Sequence, residues 1–486
     1  MKKTLTAAAL SSVLVLGLAA ASQAADAAAT TGVNAAGASK VTLDGSVRQR
    51  GAYEKIAAAK DATGHSYYDT RAQLGVAAQV SPEASGYLKL ETGAGNGDTE
   101  AWGSYSGTSS LTEGGDKLGG LNILEAWINY KPGDFGVKVG HMPLALGNKV
   151  FFDHTTSGDD AIVAYGDLNG GATHVGALTI KFNENDNDKS DDLNGYVALV
   201  THKVSDTLKL GANWTYLRGE DSGAYTTAAL VGNLGLGAGR ALEIGKFPGL
   251  SMSNIGLTAD GKVGAITYLA DLEMQFGTAG ETDNGNGSTY TIDASGWAAK
   301  LAGNYDLGGG KVGLVFGYGS GTDEQDMTND LNDGNNDLSF DTYVNFLTDT
   351  TYDTVLAGFR AGIPGAGWGH NQNRGGRNSG LSNLTLFQLN GSTKTTCPLT
   401  GKDLSLFASA SYMQLSEDMI NYGTNKVNKV GTELDLIGTW ALTPGLSYKV
   451  EAAYLFVGDV FETAAIGTGA DPDDLMFLRH SLELKF

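Results

Sequence analysis

The chain ends in a segment whose apolar side chains recur at every second position up to a terminal aromatic residue. Leu478, Leu482, Leu484 and Phe486 share one face, which only His480 interrupts, while Arg479, Ser481, Glu483 and Lys485 share the other. A tilted strand of about ten residues with this period can cross a bilayer, with lipid on one side and water on the other. The ending therefore predicts a transmembrane strand.

The N-terminus indicates export. Lys2 and Lys3 precede an apolar stretch, and Ser22-Gln23-Ala24 supplies small residues at a cleavage site. We expect a signal peptide over residues 1–24, followed by a flexible lead-in at 25–40; an uncleaved anchor is the alternative. Beyond it no run of about 18 apolar residues occurs, so no spanning helix is predicted. Because only helices and closed barrels satisfy the backbone in lipid, the mature chain is either soluble or a barrel.

Composition excludes several classes of protein. Cys397 is the only cysteine, which excludes an intramolecular disulfide scaffold and a metal–thiolate cluster. The formal net charge of −21 becomes more negative when Lys2 and Lys3 leave with the signal peptide, and this sign opposes nucleic-acid binding. A negative net charge is compatible with attraction of cations, or with divalent cations that bridge the protein to anionic lipid sugars. The 70 glycines fit the bends and close backbone approaches of barrel strands.

Alternation continues along the chain from Val41. The clearest segments are 41–50, 71–80, 207–216, 263–276 and 446–456, each with one apolar and one polar face. An Arg or Lys at the lipid midplane costs about 2–4 kcal/mol, so an apolar face nearly free of charge is a physical requirement of a membrane strand.

The connections between these segments alternate in length. Short ones lie at 81–84, 131–134, 167–171, 204–206, 260–261, 307–310 and 443–445, and long ones at 95–119, 143–159, 184–192, 219–251, 278–288, 321–380, 415–427 and 459–474. Seven of the 8 prolines fall in these turns and loops and Pro398 falls in a loose turn at 391–402, as expected of strands that have no free edge. Short turns on one side and long loops on the other define outer-membrane barrels, with the short turns periplasmic.

The sequence therefore predicts an all-β fold, a transmembrane antiparallel β-barrel over residues 41–486 with both termini periplasmic. We count about 18 strands, with about 16 as the alternative, and a barrel of either size leaves an aqueous channel. The count depends on a loose turn at 391–402 and on the 321–380 connection, where LSFDTYVNF looks extended. Aromatic residues near strand ends predict girdles at the two membrane interfaces, and ordinary strand positions are the alternative. They are Tyr53, Tyr87, Trp127, Tyr130, Trp214, Tyr305, Tyr318, Trp440 and Tyr454.

These features together resemble a Gram-negative outer-membrane porin over nearly the whole mature chain. The segment FGVKVGHMPLALGNKVFFDHTTSGDDAIVAYG (135–166) is similar to the homotrimeric porins of sulfate- and metal-reducing bacteria. The resemblance implies a homotrimer in the cell outer membrane, in contact with outer-membrane lipid and lipopolysaccharide. It also implies that the barrel-assembly machinery recognises Phe486.

The resemblance further implies a constriction, because the third extracellular loop of general porins folds into the barrel. With 95–119 counted as the second extracellular loop, residues 143–159 form the third. This places Lys149, Asp153, His154, Asp159 and Asp160 near a narrow point. Basic residues on the lumen faces of early strands would form the opposite wall: Arg48, Arg50, Arg71, Lys89 and Lys138. Opposed charges across a narrow pore select solutes by charge. For each residue alone, an ordinary wetted lumen position is the alternative.

Other constellations are weaker. The acidic stretches 183–192 and 321–337 have carboxylates at spacings that calcium could use, but they do not match an EF-hand, and solvated loops facing lipopolysaccharide are favoured. His154 with Ser157 or Asp153 lacks the third member of a hydrolase triad, and no phosphate-binding loop occurs. Arg360, His370, Arg374 and Arg377 form a basic patch that would attract anionic solutes or pair with acidic loops. We expect no enzyme activity, metal or cofactor.

The function predicted from sequence is passive diffusion of small hydrophilic solutes and ions through a trimeric, water-filled channel with a mild cation preference. Two other classes of function remain open. One is a barrel that sheaths a multihaem cytochrome conduit, which requires a lumen without an inward loop. The other is a non-conducting structural or adhesive barrel. A barrel-anchored hydrolase ranks last.

Overall fold

The computed structural model describes most of the chain beyond the N-terminal region. The described residues are 40–56, 61, 63–92, 100–101, 121–184, 192–219, 249–283, 289–323, 337–345, 354–356, 380–420, 426–464 and 472–486. The expected signal peptide, the lead-in up to residue 39, and the basic patch of Arg360, His370, Arg374 and Arg377 lie outside them. Most of the two acidic stretches does so as well.

Twenty-one strands occur in this part of the chain. They are β1 (Lys40–Lys55), β2 (His65–Gln79), β3 (Ala84–Thr92), β4 (Glu100–Ala101), β5 (Leu121–Tyr130), β6 (Phe135–Met142), β7 (Asp159–Leu168), β8 (Thr173–Asn183), β9 (Leu193–Ser205), β10 (Leu208–Gly219), β11 (Leu250–Val263), β12 (Ile266–Asp283), β13 (Thr289–Ala294), β14 (Trp297–Asp306), β15 (Gly310–Gly319), β16 (Asp337–Phe340), β17 (Leu384–Thr396), β18 (Asp403–Ile420), β19 (Lys426–Thr443), β20 (Leu446–Val457) and β21 (Leu475–Lys485). The described residues also include a 3₁₀ turn at Asn169–Gly171 and a one-turn helix at Phe461–Ala464. No helix among them is long and apolar enough to span a membrane.

Eighteen of these strands form one closed antiparallel barrel, which confirms the expected count and removes the alternative of about 16. Each pairs with the strands before and after it, and β21 pairs with β1 from Ser46↔Lys485 to Lys55↔Met476, so no edge remains. The other three strands, β4, β13 and β16, are short additions. Of the extended segment expected at 338–346, only the start forms a strand in the described residues. This strand is β16 (Asp337–Phe340), which pairs parallel with β13.

The two faces of the last strand are those predicted. Leu478, Leu482, Leu484 and Phe486 are 41–50% exposed on the outer surface, whereas Ser481 on the opposite face is 7% exposed. Phe486 completes the closure, because its backbone exchanges hydrogen bonds of 2.9 and 3.0 Å with Gly45. A Cβ at Gly45 would lie 2.7 Å from the Phe486 ring atom Cζ, so the ring occupies the space that the glycine leaves.

One predicted turn is wrong. The sequence predicts a turn at Asp260-Gly261, but β11 continues through both residues and turns after Val263, where Gly264 has φ +60°. The ladder continues because Asp260 is the partner of Lys209 on β10, and their side chains form an ion pair of 3.0 Å.

Two of the predicted girdle residues face the lumen. The Tyr87 hydroxyl donates to the Asp44 carboxylate at 3.0 Å, and Trp127 Nε1 donates to Glu125 Oε2 at 3.0 Å. Strand register places both rings on the polar face, where carboxylates accept from their polar tips. Among the other seven, Tyr130, Trp214 and Tyr305 are 44–52% exposed on the outer surface, as expected of a girdle.

The buried core lies inside the barrel. Several lumen-facing positions of β7–β10 are apolar and at most 6% exposed, although the strands also carry apolar residues outside. They are Val163, Leu178, Ile180, Val197 and Leu217. Inward apolar residues in a wide barrel would meet water unless another segment covered them. That segment is the connection between β6 and β7.

Candidate channel constriction

Residues 143–158 fold into the barrel between β6 and β7. Met142, Leu144, Leu146, Phe151 and Phe152 are each at most 3% exposed, and they belong to the same buried cluster as the apolar lumen face of β7–β10. Full burial of one such side chain is worth about 1.5–3 kcal/mol. Apolar packing therefore holds this inward loop against the wall.

The tip of the inward loop docks on a distant strand. Gly147 and Lys149 have φ values of +53° and +70° and form a tight turn. The backbone amide of Asn148 donates to Asp271 Oδ2 at 2.8 Å, and its side-chain Nδ2 donates to the carbonyl of Ala270 at 3.2 Å. A Cβ at Gly147 would lie 3.0 Å from Thr258 Cγ2, so glycine permits this close approach. The loop thus reaches from its own strands to β12.

The base of the loop is fixed by two histidine–aspartate pairs. His154 Nδ1 lies 2.8 Å from both carboxylate oxygens of Asp159, at the start of β7. His141 Nδ1 lies 3.0 Å from Asp160 Oδ1, and its Nε2 lies 3.0 Å from the carbonyl of Ser157. These contacts tie the returning end of the loop to both flanking strands.

The structure gathers four of the five residues expected at the constriction. Lys149 Nζ contacts Asp153 Oδ2 at 3.1 Å, and His154 Nδ1 lies 2.8 Å from Asp159 Oδ1, so these polar side chains find partners at the loop itself. Asp160 differs from the expectation. It follows Asp159 on a strand and therefore points to the other face, where its side chain is 72% exposed. Of the four gathered side chains, Lys149 is the most exposed, at 29%.

The five basic residues expected on the opposite wall do face the lumen, but as part of a surface of mixed charge. Arg50 Nε and Nη2 donate to the Asp69 carboxylate at 2.7 and 2.8 Å. Further round, Arg71 lies 3.8 Å from Glu91, and Lys89 lies 3.9 Å from Glu125. Acidic residues on neighbouring strands therefore balance much of the expected basic wall.

This mixed-charge surface continues in both directions. Lys138 Nζ lies 3.7 Å from the centre of the Trp127 ring, a cation–π contact that covers its charge. Arg48 is the ladder partner of Arg71. On the other side, Arg479 Nε donates to Glu451 Oε2 at 2.5 Å. We call the lumen face from β20 through β21 and β1 to β6 the charged wall. The alternation of residues in the sequence marks these positions as lumen-facing. Which side chains pair with one another follows only from the register of the strands.

A second inward segment comes from the connection between β15 and β17. Gln275 on β12 accepts from the amide of Val344 at 2.8 Å and donates to its carbonyl at 2.6 Å. Glu433 Oε1 on β19 accepts from the amides of Val355 and Leu356 at 2.7 and 2.6 Å. Leu356 is fully buried. Sequence reasoning missed this segment, because a buried Glu on a strand face looks like any other lumen position.

The lumen thus has two unlike sides. Inward chain segments cover the apolar faces and dock on carboxylates or amides of β12 and β19, whereas the charged wall supplies paired ions. Polar groups that face a wide barrel interior keep it wet, and opposed charges across a narrowed lumen focus the local field. Chemically, this arrangement suits the passage of hydrated solutes.

Solved structures of similar fold include three bacterial barrels. Pseudomonas aeruginosa OpdL matches at 11% identity over 92% of this chain and 98% of its own, with a TM-score of 0.52. Acinetobacter baumannii OccAB2 matches at 9% identity over 93% and 99%, with a TM-score of 0.51. OccAB4 of the same species matches at 10% identity over 93% and 100%, with a TM-score of 0.50. At this identity the likeness shows the fold alone. No protein-family model and no curated protein matches the sequence.

Proposed function

We propose that this chain is an outer-membrane porin, a water-filled channel for the passive diffusion of small hydrophilic solutes and ions. The observation that carries the proposal is the charged wall inside a closed 18-stranded barrel, together with two inward segments docked on other strands. Barrels of this size leave an aqueous lumen, and an outer surface of large apolar residues suits lipid.

The solved barrels support this proposal through their fold. OpdL, OccAB2 and OccAB4 are outer-membrane porins of Gram-negative bacteria, and they share the strand arrangement over more than nine-tenths of this chain. A Gram-negative outer membrane is therefore the proposed location, reached through the expected signal peptide.

The test is single-channel recording of the purified, refolded protein in planar bilayers. We expect discrete conductance steps, and swelling of protein-loaded liposomes in small sugars that diminishes as the sugars become larger. A variant in which 147–158 is replaced by a short glycine–serine linker is expected to conduct more and to admit larger sugars. Absence of conductance from correctly folded barrels would contradict the proposal and favour a structural or adhesive barrel.

We also propose a mild cation preference. Its basis is the formal net charge of −21, since the charged wall itself is nearly balanced. A negative field around the pore mouths raises the local concentration of cations. The reversal potential across a KCl gradient measures this preference directly, and a potential of the sign expected for anions would overturn it.

The proposed assembly is a homotrimer surrounded by outer-membrane lipid and lipopolysaccharide, and inserted by the barrel-assembly machinery. Its support is the resemblance of residues 135–166 to homotrimeric porins. Light scattering of the detergent-solubilised protein, corrected for bound detergent, distinguishes three copies from one. The inward loop argues against the cytochrome sheath, because a sheath requires an open lumen; haem that co-purifies with the barrel would revive that alternative.

A further inference from the structure

A compact group of oxygen-bearing side chains lies on the lumen face of β10, β11 and β12, beneath the tip of the inward loop. The register places Thr215 beside Asn254, and Asn213 beside Gly256, which in turn is beside Glu273. Asp271 is two positions from Glu273 on the same face of β12. The group therefore surrounds a glycine, a position without a side chain of its own.

Gly256 leaves the space into which its neighbours converge. A Cβ there would lie 2.3 Å from Asn213 Nδ2 and 2.6 Å from each carboxylate oxygen of Glu273. Asn254 Nδ2 donates to Glu273 Oε2 at 2.6 Å, which joins a third side chain to the group. Side chains from three neighbouring strands therefore surround the space beside Gly256.

Five oxygen atoms of this group are buried and accept no hydrogen bond from a donor among the described residues. They are Asn213 Oδ1, Thr215 Oγ1, Asn254 Oδ1, Asp271 Oδ1 and Glu273 Oε1. Their side chains are at least nine-tenths buried, and Asn254 and Glu273 are fully so. The carboxylates of Asp271 and Glu273 do lie within hydrogen-bond reach of each other. An unmade hydrogen bond at a buried polar group costs about 1–3 kcal/mol, and more for a charged group. The three neutral oxygens therefore need a partner, and the two carboxylates need either a shared proton or a cation.

Charge indicates what that partner is. Lys300 is the ladder partner of Asp271, but Glu273 faces Gly256 and Ala298, neither of which carries charge. The nearby Lys209 is already paired with Asp260 at 3.0 Å. When both are ionised, two buried carboxylates beside one lysine carry an excess negative charge. Such a buried charge is either neutralised by a proton or stabilised by a paired or metal cation.

The inward loop closes the group from above. Measured from a Cβ built on Gly147, Asp271 Oδ2 lies at 3.1 Å and Glu273 Oε1 at 3.6 Å, so both carboxylates border the loop tip. A cavity of about 30 Å³, lined by Gly147, Asn213 and Thr258 among others, adjoins it. That is room for about one water molecule as a further ligand.

We propose that these side chains form a binding site for a hard divalent cation of the calcium type, which fastens the inward loop to the barrel wall. Ca²⁺ takes about 6–8 oxygen ligands from carboxylates, amide carbonyls and water, and this group supplies carboxylate, amide and hydroxyl oxygens. The described residues contain no cluster of three or more His, Cys, Asp or Glu side chains placed for a metal ion. The site thus depends on two carboxylates together with neutral amide and hydroxyl oxygens.

The decisive experiment is calorimetric titration of the chelator-treated, refolded full-length barrel with CaCl₂. We expect the wild type to bind one more Ca²⁺ per chain than the Asp271→Asn/Glu273→Gln double variant. Calcium bound by acidic extracellular loops contributes equally to both proteins and cancels. The measurement needs no conduction, so it can fail while the proposed channel function stands.

Two further variants separate geometry from net charge. Gly256→Ala keeps every charge but places a methyl group in the space between these side chains. It is expected to bind one Ca²⁺ per chain fewer than the wild type, like the double variant. Asn213→Ala removes one neutral oxygen and is expected to weaken binding about tenfold, equivalent to ~1.4 kcal/mol. Glu433→Gln is the matched control, because Glu433 is also fully buried but its Oε1 already accepts two amides. It should keep the wild-type equivalent.

Equal calcium binding by the wild type and the double variant, with both shown to be folded by heat-modifiable gel mobility, would overturn the proposal. In that case the two carboxylates share a proton or bind only water. An infrared carboxylic-acid band lost in the double variant would identify the shared proton.

Discussion

Arg50 on β1 and Asp69 on β2 are ladder partners whose side chains form a two-pronged ion pair inside the barrel, with Nε and Nη2 donating at 2.7 and 2.8 Å. Similar ion pairs between neighbouring strands recur around the charged wall. Neutralisation between adjacent strands means that the selectivity of the lumen is set by small imbalances. Removing either partner of one pair should therefore expose a charge of known sign.

Replacing the positive or the negative member of this pair by a neutral residue should shift ion selectivity in opposite directions. Arg50→Gln leaves Asp69 without its guanidinium and should increase cation preference, whereas Asp69→Asn should reduce it. Breaking a buried pair costs about 3–5 kcal/mol and an exposed pair about 0–1 kcal/mol, so a wetted lumen implies a cost between these limits. Reversal potentials in a KCl gradient provide the measurement. Shifts in the same direction would contradict a selective role for this wall.

The inward loop should loosen when its aromatic anchor is removed. Phe152 is 2% exposed, and its ring centre lies 5.9 Å from that of Phe182 on β8. Truncation of a buried Phe to Ala costs about 3–5 kcal/mol of stability. This cost is comparable to the free energy with which a short loop packs. Phe152→Ala should therefore increase single-channel conductance and current noise. Leu399→Ala is the control, because Leu399 is 94% exposed in a turn; unchanged traces for both variants would show that the loop does not limit flow.

The second inward segment should open when Glu433 is replaced by a residue that has no acceptor oxygen. Glu433→Ala leaves the amides of Val355 and Leu356 without their carboxylate, at about 1–3 kcal/mol for each unsatisfied group. Hydrogen exchange measured by mass spectrometry should accelerate at 354–356. Glu433→Gln keeps an acceptor oxygen and should show a smaller effect. Equal protection in wild type and Glu433→Ala would mean that other contacts hold the segment.

Deletion of Phe486 should impair assembly more than conductance. Its backbone and ring contact Gly45 at the end of β21, the strand that closes the barrel on β1. We expect less heat-modifiable barrel and fewer trimers in outer-membrane fractions, with normal conductance from those that form. Lys485→Ala, one position earlier and on the other face, is the matched control. Normal trimer yield from the deletion would contradict this role.

Local patterns predicted the architecture well because a membrane leaves few solutions. A strand in lipid must alternate, must avoid proline and must pair on both sides, so these demands appear in the residues themselves. Gly264 marks a turn that local chemistry placed too early in the chain. Asp260-Gly261 has the chemistry of a turn, but the ion pair of Asp260 with Lys209 extends the ladder to a later glycine.

The candidate site was less predictable, because its residues acquire partners only through register. Lys89 and Lys138 were recognisable as lumen residues, but Glu125, which lies near one, and Trp127, which covers the other, come from a neighbouring strand. Trp127 also shows that an aromatic residue in a strand of a membrane barrel can serve the lumen instead of the lipid interface.

The sequence by itself determined the barrel, its approximate strand number and the outer face that ends in Phe486. These features depend on a period of two and on turn chemistry, which are local properties of the chain. Only the tertiary structure decided that Arg50 meets Asp69, that Asn148 reaches Asp271 and that buried polar side chains of three strands surround Gly256. Such contacts depend on closure, because joining β21 to β1 sets the register that brings distant residues together inside the lumen.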